Sequence, residues 1–394
     1  MDTKLNPLLQ LPGNLLKMPF LKESGPDKKN EIADILERHR GEKHLVILHD
    51  YPDPDAIASA YAHRLISAQY GIDVTITYRG KISHSQNTAL VKLLGIELVP
   101  YQASLDISRF QGAVLLDHQG TNAREIIEAI KQAAIPVLIM VDHHELQDFV
   151  TAEFSDIRKT GSTATIYSLY IEQGLLPIQK ATKEHVAMAT ALMHGILSDT
   201  GGFVRAEVED LHSAAFLSQY RDADMLERIM NQKRSKQVMD VIYRALANRV
   251  VKENYSIAGI GILRSEDRDA IPQATDFLVK EDNVHTAIVY GIVKEVGQGE
   301  VLTGSLRTTN MTLDPDEFIK NVFGVDADGR YYGGGKLTAG GFSIPIGFLA
   351  GEPYEAYASL KWQVFNAQVK AKLYTRIGLK PEPVDESEKH VVQV

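Results

Sequence analysis

The chain has no cysteine. That excludes disulfides, thiol nucleophiles, iron–sulfur clusters and any zinc site built on thiolates. A metal bound here must be held by imidazole and carboxylate, a donor set suited to manganese, iron, cobalt or zinc, and to magnesium where histidines are few. No run of 18 or more apolar residues occurs, so no transmembrane helix is expected. The leucines of the first twenty residues are interrupted by Pro7, Pro12 and Gly13 and lack the basic start and continuous apolar core of a secretory signal, so a cytoplasmic location is expected. Nor is there an excess of basic charge: the formal net charge is −9. A protein that wraps long nucleic acid carries a basic face, so a small or short anionic substrate gripped locally fits better than a long duplex.

What is present is an ordinary globular composition, 44% hydrophobic and 24% charged, over 394 residues, a length that predicts two domains. Residues 1–42 read as a polar leader, with Ile32, Ile35 and Leu36 on one face of a helix. From 43 to 215, short apolar runs ("HLVILHD", "DVTITYRG", "GAVLLDHQG", "IPVLIMVDHHE") alternate with helical segments. This order predicts an α/β domain, a doubly wound parallel sheet with helices on both faces. Residues 216–252 are charged and helical and read as a linker. Residues 253–351 read as a smaller α/β domain with alternating segments and a glycine-rich loop, "YYGGGKLTAGGFSIP". A C-terminal helix and polar tail, disordered beyond 380, complete the chain over 352–394.

The polar residues fall where a doubly wound sheet binds its ligands, beyond the carboxyl ends of the strands. His49, Asp53 and Asp55 lie in "HDYPDPDA", Asp117 in "VLLDHQG", Asp142, His143 and His144 in "VDHHE" after "PVLIMV", and Asp199 in "SDTGGF". Each has a bland reading. Asp53 and Asp55 could be an Asx-turn or a helix cap, Asp117 a turn, His143 and His144 a polar loop pair, and Asp199 a helix end. Six of them, His49, Asp53, Asp55, Asp117, His143 and Asp199, supply two imidazoles and four carboxylates, the stock for two divalent cations sharing a carboxylate. Without cations such a group repels itself and shifts its pKa values. Gly161-Ser162-Thr163 opens a helix and reads either as a cap or as an anion site. His118 and His194, beside the motifs, read as supporting or core histidines.

The four segments "HDYPDPDA", "LLDHQG", "VDHHE" and "SDTGGF", in this order, resemble the motifs of the DHH phosphoesterase superfamily. "GSLRTT" and "GGGKLTAGGF" resemble its DHH-associated C-terminal domain. The likeness runs from about Lys43 to Gly351 and is nearest to the nanoRNase/pAp-phosphatase subgroup, relatives of RecJ-like exonucleases. The resemblance implies two divalent ions, manganese in most members. His49 and Asp53 match the ligands of one, Asp55, His143 and Asp199 those of the other, and Asp117 the bridging carboxylate. It implies that His144 lies near the scissile phosphate with Asp142 supporting it, and that Ser305, Arg307, Gly333, Gly334, Gly335 and Lys336 contact substrate. Where the family loop commonly ends in histidine, this chain has Lys336, a cation without imidazole's tunable protonation. The expected activity is hydrolysis of short single-stranded oligonucleotides or a nucleotide 3′,5′-bisphosphate (pAp) by a water activated between two metals. The site is expected in a cleft between the domains, with Tyr331 and Tyr332 as a possible platform for a base and a homodimer as a possible assembly. The alternatives are a cyclic or linear dinucleotide phosphodiesterase, a pyrophosphatase or polyphosphatase, and a non-enzymatic nucleotide-binding protein.

Overall fold

The computed structural model describes residues 28–82, 84–102, 105–295, 299–351 and 354–380. The leader before residue 28 and the tail after residue 380 lie outside the described residues. The chain divides into two compact units, Met1–Gln232 and Lys233–Val394.

In the first unit, α1 (Lys28–Arg38) precedes β1 (Lys43–Ile47), α2 (Pro54–Ala68), β2 (Asp73–Tyr78), α3 (Ser85–Leu94), β3 (Val99–Pro100), β4 (Gly112–Leu116), α4 (Arg124–Gln132), β5 (Val137–Asp142) and β6 (Phe154–Ile157). Helices α5 (Thr163–Glu172), α6 (Lys183–Asp199), α7 (Val208–Ser218) and α8 (Ala223–Met230) follow. The strands form one parallel sheet in the order β3-β2-β1-β4-β5-β6. The sheet is doubly wound. Val46, Leu48, Val114 and Leu116 face a core shared with α2, α5 and α6, while Leu45, Ile47, Ala113 and Leu115 face the one shared with α4. Burial on both faces explains why these strands read as continuous apolar runs rather than as alternation. The N-terminal helix belongs to this unit: Ile32, Ile35 and Leu36 are buried in its larger core.

The second unit contains α9 (Lys236–Asn248), β7 (Arg249–Lys252), β8 (Tyr255–Arg264), α10 (Ala270–Leu278), β9 (Thr286–Glu295), β10 (Gly299–Thr308), α11 (Pro315–Phe323), β11 (Gly333–Lys336), β12 (Ala339–Pro345) and α12 (Glu355–Arg376). Its sheet runs β11-β12-β10-β9-β8-β7, with β8 and β9 parallel and the other pairs antiparallel. Helices α9 and α10 cover one face, and α11 and α12 the other. The stretch 216–252, read from sequence as a linker, is divided: α8 packs on α3 and α6 of the first unit, and α9 on α10 and β8 of the second. Each helix has an apolar stripe, Leu226 and Ile229 in one and Val241, Ile242 and Ala245 in the other, and each buries it locally.

The glycine-rich segment differs from the sequence reading. Gly333–Lys336 is an edge strand, not a loop. A Cβ on Gly334 would lie 2.5 Å from the Asp316 carboxylate, and one on Gly335 would lie 2.7 Å from the Ala339 carbonyl and 2.8 Å from Pro315. Gly335 also donates its N–H to Asp316 (3.0 Å). Glycine lets the strand lie against α11, a packing requirement that loop statistics do not express.

Candidate metal centre

Each motif is delivered by an element end. His49 lies just beyond β1. Asp53 caps α2, accepting the Ala56 N–H at 3.0 Å, and Pro54 sits at the first helical position, where its missing N–H is harmless. Asp55 occupies the first turn of α2 and is fully buried. Asp117 follows β4 with φ +63°, one of the few non-glycine residues in the left-handed region. Such a conformation costs about 1 kcal/mol and recurs where a side chain must be aimed. Asp142 ends β5, His143 and His144 follow it, and Asp199 is the last residue of α6.

The six residues His49, Asp53, Asp55, Asp117, His143 and Asp199 converge. His49, Asp53 and Asp117 present donor atoms within 4.8 Å of one another, and so do Asp55, His143 and Asp199. Asp117 faces both groups. One carboxylate oxygen lies 3.7 Å from His49 Nε2 and the other 3.5 Å from His143 Nε2. His143 Nε2 is also 3.4 Å from Asp199.

These residues fit divalent cations on two counts. First, His143 Nδ1 is bonded to the carbonyl of Thr160 (3.1 Å), which fixes the proton on Nδ1 and leaves a lone pair on Nε2. That buried Nε2 has no hydrogen-bond partner and faces two carboxylates. Burial and neighbouring His144 push the His143 pKa down, favouring the neutral ring. An acceptor aimed at acceptors is satisfied by a cation. Second, the carboxylates strain against each other. Burial and Asp53 push Asp55 up to about 7. Burial and the charges of Asp55, Asp53, Asp199 and Asp142 push Asp117 well above the usual carboxylate range.

The surrounding residues hold this arrangement. Asp142 Oδ1 accepts from His144 Nδ1 (2.7 Å) and from the His143 N–H (2.8 Å). Asp142 Oδ2 accepts from Gln119 (2.8 Å), whose own oxygen takes the Gln147 N–H. Burial pushes the Asp142 carboxyl up, but His144 and Gln119 together hold it below its ordinary value. His144 is thereby turned so that Nδ1 is committed and Nε2 is free for other chemistry. His118 is a structural tie: its Nδ1 accepts the Gly120 N–H and its Nε2 donates to the Ile47 carbonyl. Burial lowers its pKa to about 4. His194 is buried in α6.

The N-terminus of α5 does hold an anion, and the anion is Asp55. Thr163 and Ala164 donate their backbone N–H groups to its two carboxylate oxygens at 2.7 and 2.6 Å. Ser162 also caps the helix through Thr165 N–H, so both sequence readings of this segment hold. The Thr163 hydroxyl donates to Asp117 (3.1 Å). Sequence reasoning did not find Thr163, Thr160 or Gln119 as supports. It also missed Asp210, a buried carboxylate in α7 that accepts from Gly161 N–H (3.0 Å), Thr165 hydroxyl (2.5 Å) and Glu207 N–H (2.8 Å). The one local signal was the Gly-Ser-Thr helix opening, and its partners are between 45 and 109 residues away in sequence.

The remaining predicted residues lie in the second unit. Ser305 is buried on β10 and its hydroxyl accepts from Arg307 (3.0 Å), while Arg307 Nε is paired with Asp276 (2.7 Å). Lys336 is exposed at the end of β11. Tyr331 is 57% exposed with Lys320 over its ring, whereas Tyr332 packs against the core. No helix among the described residues is long and apolar enough to cross a membrane.

Comparison with known proteins agrees with the motif reading. Residues 43–196 match the DHH family, N-terminal domain. An uncharacterised protein of Methanocaldococcus jannaschii is 36% identical over 343 residues, 86% of this chain and 65% of that protein. A probable manganese-dependent inorganic pyrophosphatase of Streptococcus mutans is 31% identical over 162 residues, 40% of this chain and 48% of its own length. The chain thus spans about half to two thirds of the curated relatives it matches. The crystal structure of an exopolyphosphatase-related protein from Bacteroides fragilis shares the fold, with TM-score 0.62 and 18% identity over 88% of this chain and 96% of that one.

Proposed function

Taking as premise that residues 43–196 are a DHH-family domain, we propose that the chain is a metal-dependent phosphoesterase acting on short oligonucleotides and nucleotide 3′,5′-bisphosphates. The observation that carries this reading is the Asp117 carboxylate, with one oxygen toward His49 and the other toward His143. His49, Asp53, Asp55, Asp117, His143 and Asp199 are the residues that would hold two divalent ions, manganese by analogy with the pyrophosphatase relative. Such ions, when bound, acidify a water and neutralise charge on phosphoryl oxygens.

The chain's own groups supply the rest. Asp142 holds the His144 ring in place through Nδ1–H, and the imidazolium form of His144 gives its Nε2 proton to the departing ester oxygen, leaving the neutral ring still bonded to Asp142. Thr163 steadies Asp117, and the α5 N-terminus keeps Asp55 aimed into the site. Within the second unit, exposed Lys336 binds substrate phosphate, with Arg307 beside Ser305 as a further contact whose charge Asp276 already offsets. A phosphoester is favoured there over pyrophosphate because two of the nearby cations are already matched. Arg307 is paired with Asp276, and Lys320 with Asp316. A pyrophosphatase needs a denser unpaired set for its more highly charged substrate.

The likeness to the Streptococcus mutans protein supports inorganic pyrophosphate as the second reading. A manganese-supplemented panel of pAp, di- to pentanucleotides, cyclic di-AMP and pyrophosphate separates the two. The expected result is the highest kcat/KM on pAp or the shortest oligonucleotides, and loss of that activity in Asp117→Ala. A higher kcat/KM on pyrophosphate replaces the first reading with the second. Retained manganese-dependent hydrolysis in Asp117→Ala refutes both.

A further inference from the structure

A second imidazole–carboxylate cluster lies apart from the catalytic motifs, in the turn that joins α1 to β1. The sequence there is "HRGEKH". Gly41, with φ +81°, folds the turn back and donates its N–H to the Tyr70 carbonyl. The fold brings His39 Nδ1, Glu42 Oε2 and His44 Nε2 within 4.8 Å of one another. His39 Nδ1 is 2.9 Å from Glu42 Oε2, and His44 Nε2 is 3.3 Å from the same oxygen. Around a tetrahedral zinc with ligand bonds of about 2.05 Å, donor atoms are about 3.3 Å apart. The two distances to Glu42 Oε2 therefore already sit near the edge length of such a site, and the third pair lies within 4.8 Å.

A second observation points the same way. His44 is completely buried on β1, one strand position before the alternation that gives Val46 and Leu48 to the same apolar core. An apolar residue would be the cheaper occupant, since an unsatisfied buried polar group is destabilising. Its Nδ1 has no hydrogen-bond partner. Its Nε2 is aimed at Glu42, so the useful chemistry of this histidine is directed into the cluster. The nearby cation Arg40 is turned away, paired with Glu37 and stacked over Tyr70. His39 and Glu42 are partly open to solvent at 19% and 30% side-chain exposure, which leaves room for a water as fourth ligand.

We propose that His39, Glu42 and His44 form a zinc site that staples the C-terminus of α1 to the start of β1. Two imidazoles and one carboxylate are a borderline donor set that suits zinc, and a closed turn of six residues suits a structural role. The site is independent of the phosphoesterase reading.

The test uses the full chain, stripped with chelator, reloaded with zinc alone and desalted, with metal counted by mass spectrometry. Wild type is compared with His39→Ala, Glu42→Gln and Asp117→Asn. The expected result is one equivalent fewer in His39→Ala and in Glu42→Gln than in wild type, with manganese-dependent hydrolysis unchanged in both. Asp117→Asn, which disrupts only the strand-end centre, keeps the equivalent in question. Cobalt loaded into Asp117→Asn should give visible bands of tetrahedral intensity, and the double variant with His39→Ala should lose them. Equal zinc content in wild type, His39→Ala and Glu42→Gln overturns the proposal. Should a variant fail to fold, zinc X-ray absorption on Asp117→Asn decides: two imidazoles and one carboxylate support the site, and an oxygen-only shell or no bound zinc overturns it. Failure of the phosphoesterase reading would appear in the activity panel and leave these counts untouched.

Discussion

Replacing Asp55 by asparagine should make the metal-free chain more stable at alkaline pH while removing its response to manganese. Asp55 is fully buried, and burial with the Asp53 charge raises its pKa from 3.8 to about 7. Between those two values the folded chain holds a proton that the unfolded chain has released. Stability therefore falls as pH rises from about 4 to 7, and the penalty is complete above 7. The whole rise corresponds to about 4 kcal/mol, of which roughly 1.5 is already present at pH 5. Asparagine carries no such penalty at any pH. It does lose one charge-assisted acceptor for the N–H groups of Thr163 and Ala164, a pH-independent cost of about 1–3 kcal/mol. The variant should thus lie between about 0.5 kcal/mol more stable and about 1.5 kcal/mol less stable than wild type at pH 5, and be about 1–3 kcal/mol more stable at pH 8.5. The gap between them should move by about 3 kcal/mol. Urea unfolding in chelator at the two pH values, followed by a probe in the first unit, measures it. A gap that moves by less than about 0.5 kcal/mol refutes the claim that burial, with the Asp53 charge beside it, raises the Asp55 pKa in the absence of cations. Manganese at a hundred times its dissociation constant should add about 2.7 kcal/mol to wild type and much less to the variant.

Asp142→Asn should lower metal-dependent hydrolysis by about 10–100-fold, the usual effect of removing the group that orients a functional imidazole, with little change in melting temperature. Steady-state kinetics with pAp and a thermal melt check both parts, and unchanged kcat/KM removes Asp142 from the positioning role. Asp210→Ala removes the acceptor of the buried Thr165 hydroxyl and of the part-buried Gly161 and Glu207 N–H groups, and should cost about 3 kcal/mol in urea unfolding. A loss under 1 kcal/mol means that water or a neighbour replaces it. Gly335→Ala places a Cβ against backbone on two sides and should cost about 1–3 kcal/mol, whereas Lys336→Ala, at an exposed position, should leave stability unchanged. Equal unfolding midpoints for the two variants would contradict the packing account of β11.

The three strand ends of the candidate metal centre were legible because each signal was local and repeated. β1, β4 and β5 are apolar runs that stop at acid or imidazole, and a parallel sheet turns that coincidence into convergence. The strand β6 was missed because Phe154–Ile157 has only four residues and carries Asp156 among them. The glycine segment was read as a loop for a sound statistical reason. Glycine weakens strands, unless a helix must lie against the backbone, as α11 does here. The charged stretch 216–252 looked like a connection because its two apolar stripes are short, and only tertiary packing assigns one to each unit.

The deepest gap between sequence and site concerns α5. A helix opening with Gly-Ser-Thr is an anion site by its dipole and its free N–H groups, and nothing local says whether the anion is a substrate or a side chain. The structure resolves this with Asp55, more than a hundred residues earlier in the chain. The consequence is electrostatic. The partial positive charge of the helix end is spent on holding one carboxylate in a crowd of carboxylates, and that support does not bring the Asp55 pKa back to its ordinary value. That helix end alone cannot balance four clustered acids, of which Asp55 and Asp117 are buried. The residual negative charge is what a divalent cation would answer, and His143, with its lone pair turned inward by Thr160, stands ready to complete the same coordination.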